Sequence, residues 1–372
     1  MSLVIGGGIS FGGGISVTAD NTGLYNFSSF TFLSGNVSGP VGATGTQLFA
    51  NSYSNVGNTW LQSTSFYNTY GNGYQFWTVP ATGTYQITAA GARSGIPYFT
   101  PGNVANGNVT AGWGAVMSGS FNLTQGQVLT LVVGQMSGNA GAGATYSSTG
   151  GGGASWVVTN TNQPLLVAGG GAGGGNFTSG VPNSIKGGNA VTRTSGGSSF
   201  NGAPGGANGI GGNSHVNGAG TASVNGYDAG GGGGMYANGV IGTGGNLRSI
   251  VSGTGAGGGG AAFIYGLTGG GIQNESSYYA GISAGGFGGG GGAGPITGGG
   301  GGGYSGGGGT YSTSGTGVDA GGGGGSYIDA TASNVYTSDG FYNNVSTFNG
   351  SSISNLAIYN YGHGYIAVTR IA

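Results

Sequence analysis

Cysteine is absent from this 372-residue chain, so disulfide staples and thiolate metal sites are excluded and the protein is able to fold in a reducing compartment. Charge is nearly absent as well, with five basic and six acidic residues. The basic residues Arg93, Lys186, Arg193, Arg248 and Arg370 are scattered. They make no patch to track phosphates, and nucleic acid is not an expected partner. No window approaches the roughly 20 apolar residues that cross a bilayer, and the first 20 residues lack a basic segment followed by an apolar core. Neither membrane insertion nor a secretory signal is therefore expected. Proline is scarce, at 8 residues, and glycine follows no Gly-X-Y period, which removes collagen.

What the chain has in abundance is glycine, 100 residues of it, beside 21 Tyr, 15 Phe and 4 Trp. Disordered chains are poor in aromatics and rich in charge. This composition is the reverse, and a nearly neutral chain with exposed, unstructured backbone would associate and precipitate. The glycine segments are therefore expected to be folded and packed.

Three regions differ in texture. Residues 1–22 carry a short repeat, Ile5-Gly-Gly-Gly-Ile9-Ser10 then Phe11-Gly-Gly-Gly-Ile15-Ser16, whose apolar positions share one parity. It reads as an attachment or oligomerisation arm. Residues 23–140 and 326–372 hold short β-rich runs at 29–33, 74–79, 84–88, 115–121, 128–133 and 364–370, bounded by Gly, Asn and Ser turns. They predict a β-sandwich. No stretch has a sustained helical period. Trp60, Trp77, Trp113 and Trp156 are expected in its core.

Residues 141–325 form the glycine-rich region, and 71 of the 100 glycines lie between 141 and 330. Hydrophobic islands at 154–158, 164–168, 261–265 and 326–328 read as strands returning to a sheet. Between them lie glycine runs at 150–153, 230–234, 257–260, 288–292, 298–303, 306–309 and 321–325. Polyglycine adopts the left-handed polyproline-II helix, about three residues per turn with no internal hydrogen bonds. One such helix cannot offset the entropy lost in ordering glycine. Many side by side can bond backbone to backbone. The runs are expected to form such a bundle, centred on Gly151, Gly232, Gly258, Gly290, Gly300, Gly308 and Gly323.

Chemistry-bearing residues are few. The histidines are His215 and His363, and the acids are Asp20, Asp228, Glu275, Asp319, Asp329 and Asp339. No short motif pairs acids or places histidines at metal-ligand spacing. Gly-x-Gly-x-x-Gly matches arise by chance here and lack the helix that a dinucleotide site requires. No catalytic residue, cofactor or metal is expected. Asp319, Asp329 and Asp339 recur every ten residues as turn formers, with calcium ligation as the alternative. The tyrosines Tyr278, Tyr279, Tyr304, Tyr311, Tyr336 and Tyr342 sit with Phe341 in Gly/Ser/Asn loops. They read either as a binding surface for sugars or outer-membrane proteins, or as caps on glycine helices and fillers beside the sandwich.

Several of these segments, in order, resemble a known family. Ser38-Gly-Pro-Val-Gly-Ala-Thr-Gly-Thr-Gln47 with Ala50-Asn-Ser-Tyr53, the stretch Gly73-Tyr-Gln-Phe-Trp-Thr-Val-Pro-Ala-Thr-Gly-Thr-Tyr85 leading to Ala89-Ala-Gly-Ala92, and Gly150-Gly-Gly-Gly-Ala-Ser-Trp-Val-Val158 are similar to the glycine-rich extracellular region of anaplastic lymphoma kinase and leukocyte tyrosine kinase. So are Gln163-Pro-Leu-Leu-Val-Ala-Gly-Gly170, Gly285-Gly-Phe-Gly-Gly-Gly290, 298–304 and Gly362-His-Gly-Tyr-Ile-Ala-Val368. The resemblance implies a tumour-necrosis-factor-like jelly-roll sandwich with an inserted polyglycine-helix bundle. The chain departs from that family in lacking its cysteines, kinase domain, transmembrane helix and secretory signal, which argues against a receptor. The repeat at residues 5–16 resembles the starts of virion structural and tail-fibre proteins of marine bacteriophages. That resemblance implies a non-enzymatic virion surface or tail-fibre protein, a homo-oligomer with a trimer expected, attached to other virion proteins by its arm and binding a host glycan or outer-membrane protein. The alternatives are a secreted or cell-surface ligand-binding module and an ice-binding protein.

Overall fold

The computed structural model describes residues 23–96, 111–139, 148–175, 187–214, 228–242, 257–272, 283–311, 319–339, 347–348, 351–352 and 362–372. The expected arm at 1–22, Tyr278, Tyr279, Phe341, Tyr342 and His215 lie outside them.

The chain is an all-β sandwich. One sheet holds β1 (Ser29–Phe32), β4 (Gly83–Ala90), β5 (Val116–Leu123), β10 (Ser333–Ser338) and β13 (Tyr365–Arg370), in the order β1-β13-β4-β5-β10. The other holds β2 (Tyr67–Tyr70), β3 (Tyr74–Thr78), β6 (Val128–Val132), β7 (Ser155–Thr159), β8 (Pro164–Ala168) and β9 (Tyr327–Ile328), in chain order. Every strand pairing is antiparallel, and the short strands β11 (Thr347–Phe348) and β12 (Ser351–Ser352) pair only with each other.

Alternation explains which faces meet, because successive strand residues point to opposite sides. On β4, Tyr85, Ile87 and Ala89 are buried while Gln86 and Thr88 are half-buried. With Phe32, Trp77, Leu129, Leu131, Leu166, Ile366 and Val368 they fill the space between the sheets. The buried amide of Gln75 is bonded at both ends: its Oε1 accepts from the Tyr53 hydroxyl at 2.8 Å and the Tyr67 hydroxyl at 2.9 Å, and its Nε2 donates to the Leu33 carbonyl at 3.0 Å. Burial raises the pKa of both tyrosines.

On β7 both faces are covered. Val157 points into the sandwich, while Trp156 and Val158 point outward onto a second cluster with Met235, Phe263, Leu267 and Phe287. Those four come from the glycine-rich region, which therefore packs on the outer face of the six-stranded sheet. The glycine runs continue the strands: 150–153 enters β7 through Ala154, 169–171 leaves β8, and 321–325 enters β9 through Ser326.

The strand expectations for 29–33, 74–79, 84–88, 115–121, 128–133 and 364–370 match the sheets, as do the islands at 154–158, 164–168 and 326–328. The island at 261–265 does not extend into a strand. Phe263–Tyr265 forms a 3-10 turn, because Gly266, at φ 101°, reverses the chain and Phe263 N donates to Gly234 at the bundle end. Trp60, Trp77 and Trp156 are buried, whereas Trp113 is only half-buried, with the Arg93 guanidinium 5.9 Å from its ring centroid. Among the described residues helix is confined to short turns, one of them α1 (Gly45–Leu48), started by a capping box in which Thr44 and Gln47 satisfy each other's backbone N–H.

Candidate functional site

The glycine runs are buried throughout, although they carry no side chains to bury. Their backbones satisfy one another laterally. In the run 298–303 each N–H donates to a different neighbour, and every third residue returns to the same one. Gly298 and Gly301 donate to Asp319 and Gly322, at 3.1 and 3.0 Å. Gly299 and Gly302 donate to Thr149 and Gly152, at 3.2 and 3.0 Å, and Gly300 and Gly303 to Gly230 and Gly233, at 2.9 and 3.2 Å. These three neighbours run parallel to it. Its carbonyls accept from Thr310 and Gly307, and from Gly173 and Gly170, both pairs running antiparallel, and from Gly291. The run thus has six hydrogen-bonded neighbours. The segment 229–234 repeats the pattern: residues 229 and 232 donate to Thr310 and Gly307, 230 and 233 to Gly292 and Gly289, and 231 and 234 to Val240 and Ala237. A buried backbone group needs a partner, and here other backbones supply it.

The spacing leaves no room for a side chain. A methyl group at Gly151, Gly232, Gly258, Gly290, Gly300, Gly308 or Gly323 would fall closer than 3.0 Å to backbone, which cannot swing aside as a side chain does. At Gly300 the obstacles are the Gly307 carbonyl oxygen and the Gly232 nitrogen.

Two of the runs lead into aromatic rings that meet. Tyr304 follows 298–303, Tyr327 follows 321–325 after Ser326, and the two rings stack at 4.7 Å between centroids and 24° between planes. Both are half-buried, and burial raises the pKa of both hydroxyls. The Tyr327 hydroxyl also donates to Asp329 Oδ2 at 3.4 Å. Tyr311 is half-buried, its carbonyl accepting from Asn201 at 2.5 Å, and Tyr336 is exposed on the edge strand β10. The structure thus brings together Tyr304 and Tyr327 but places Tyr336 on the opposite sheet.

The three aspartates serve separate purposes. Asp329 accepts from the Thr331 hydroxyl at 2.6 Å and its backbone N–H at 2.9 Å, which holds its pKa down and closes a local turn. Asp339 accepts from Thr192 N at 2.7 Å, and Asp319 is buried beside the run 298–303, where desolvation raises its pKa. Among the described residues no three His, Asp or Glu side chains gather at one point. His363 is buried where β13 meets the glycine region. Its Nδ1 accepts from Met136 N at 3.2 Å, and burial, aided by the nearby Arg93 charge, pushes its pKa down to about 4.

A groove absent from the sequence reading opens beside the bundle. Its floor is the outer face of β3 and β6, where Phe76 and Thr130 are register partners. One wall is the β2–β3 hairpin, with Tyr70 opposite Tyr74, and the other is the turn after the glycine run at 257–260, with Phe263 and Ile264. It encloses about 580 Å³. Tyr70 stands 75% exposed at its edge, and burial lifts the Tyr74 hydroxyl to about 12. The signal for it in the sequence was two tyrosines flanking Gly71-Asn72-Gly73, a hairpin-turn composition.

Among the described residues no helix is long and apolar enough to cross a membrane. No family model matches the chain, and no curated protein matches it.

Proposed function

We propose that this chain is a non-enzymatic adhesin of the phage tail-fibre type, in which a jelly-roll sandwich carries a bundle of left-handed polyglycine-II helices as a rigid stage for host-contacting loops. The observation that carries the reading is the three-residue recurrence of hydrogen-bond partners along 298–303 and 229–234. Polyproline-II geometry repeats every three residues and projects its N–H and C=O groups sideways, which accounts for a run with six bonded neighbours. Such a lattice offers stiffness without side-chain chemistry. Function is left to what it displays: exposed aromatic residues such as Tyr70, Tyr236, Tyr265 and Tyr336, presented on a surface with few charges. Attachment to the particle is assigned to residues 1–22, and the assembly to a homotrimer.

The test is location and competition. Antibody against the purified chain should label particle tips in electron micrographs, and the free protein should inhibit particle adsorption to host cells in a dose-dependent way. Recovery of the chain only in a particle-free soluble fraction, with no inhibition of adsorption, overturns the reading.

A further inference from the structure

We infer that the groove between the β2–β3 hairpin and the 263–266 turn is a carbohydrate site for neutral sugars, with Tyr70 as its stacking platform. The inference deepens the adhesin reading and rests on it for its setting. Three features of the groove define the ligand. First, among the described residues that line it none is charged, so neither a carboxylated or phosphorylated ligand nor a cation meets a counter-charge. Secondly, its apolar lining is largely aromatic, with exposed Tyr70 and half-buried Tyr74 and Phe76 beside Phe263 and Phe287, and aromatic rings suit the C–H face of a sugar. Thirdly, its polar side chains are the carboxamides of Asn72 and Asn162 and the hydroxyls of Tyr70, Tyr74, Thr130 and Thr268, groups that donate to and accept from sugar hydroxyls. The volume of about 580 Å³ lies within the range of small-ligand sites.

The site is also held in shape before any ligand arrives. Gly73 N donates to the Ala43 carbonyl at 2.8 Å, and a Cβ at Gly73 would collide with the Phe287 ring, so the hairpin tip is seated on the bundle's second hydrophobic cluster. A preformed groove loses little entropy on binding, and an exposed tyrosine with two side-chain torsions loses little more.

The experiment uses the full-length protein on an array of neutral hexose and N-acetylhexosamine oligosaccharides printed beside sialylated and sulfated ones, followed by titration with the strongest neutral binder. The expected result is binding to neutral members only, weakened at least tenfold by Tyr70→Ala and unchanged by Tyr336→Ala on the other sheet. Tyr70 is exposed, so its replacement leaves folding intact, as an unchanged melting temperature will report. No neutral binder, a preference for the acidic glycans, or equal affinity in Tyr70→Ala overturns the inference. Its failure is separable from that of the adhesin reading. Free protein that inhibits adsorption equally well with and without Tyr70→Ala keeps the adhesin and removes the groove. Neutral-sugar binding lost in Tyr70→Ala, from a chain found on no particle, keeps the groove and removes the adhesin.

Discussion

The molecule has two interiors built on opposite rules. Between the sheets, large side chains such as Trp77, Tyr85, Phe32 and Leu131 fill space, and the backbone stays in its ladders. Within the glycine runs there are no side chains to pack, and backbone bonds to backbone in several directions at once. The first interior is specified by volume and fails when atoms are removed. The second is specified by the absence of volume and fails when atoms are added. The comparison shows that a buried interior does not require apolar side chains, provided its N–H and C=O groups find partners.

That contrast is broken most forcefully at its centre. Gly300→Val places a branched side chain against the Gly307 carbonyl and the Gly232 nitrogen, and is expected to cost on the order of 5 kcal/mol or to prevent folding. Circular dichroism and a thermal melt decide it, since an unchanged melt means that the run is a loop. Trp77→Ala attacks the other core by removing atoms from a fully buried site and is expected to cost about 3–5 kcal/mol in denaturant unfolding.

A smaller effect sits on the seam between the two regions. His363 has a folded pKa of about 4 against an unfolded value of 6.5. The unfolded chain therefore takes up the proton first as pH falls. The stability set by this group is complete above pH 6.5, is lost between 6.5 and 4, and changes no further below that. The total is up to about 3 kcal/mol. Unfolding at several pH values should show that slope in the wild type and lose it in His363→Asn. The smallest effect sharpens the contrast by repeating the same chemistry elsewhere. Gly57 is exposed, has open space where its Cβ would stand, and does not sit at a left-handed φ. Gly57→Ala should shift stability by less than about 0.5 kcal/mol, whereas Gly232→Ala, with the Gly301 carbonyl oxygen in the way, should shift it by several times that. Equal effects of the two alanines would remove the distinction between turn glycines and core glycines.

Much of the sandwich was legible because its strands alternate. Tyr85, Ile87 and Ala89 on β4, and Leu129 and Leu131 on β6, announce their faces. Within the two large sheets the strands missed were β2 and β10, whose residues Tyr-Asn-Thr-Tyr and Ser-Asn-Val-Tyr-Thr-Ser carry no apolar alternation. Both are edge strands; β2 is anchored in the core by Tyr67 alone, and no residue of β10 is fully buried, so the partner's ladder sets their pairing. The burial of the glycine runs was legible from composition, but their pairing was not. Nothing local in Gly300 distinguishes Gly230 from any other glycine carbonyl, so partner choice emerges only when the sandwich sets the ends of 150–153, 169–171 and 321–325. The same reason hid the groove: Tyr70 and Phe263 lie far apart in sequence and meet only because the turn after 257–260 folds back over β3. Of the tyrosines singled out, Tyr304 follows a run and stacks on Tyr327, a pairing that spacing alone did not reveal.

If the glycine runs are core, amide hydrogen exchange on protein labelled with ¹⁵N at glycine will show it. The amides of Gly300, Gly301, Gly302, Gly230 and Gly232, each donated to another backbone, should exchange as slowly as Gly119 within β5, while exposed Gly57 exchanges fast. Exchange of those five amides at the rate of Gly57, with Gly119 still protected, would contradict a glycine core.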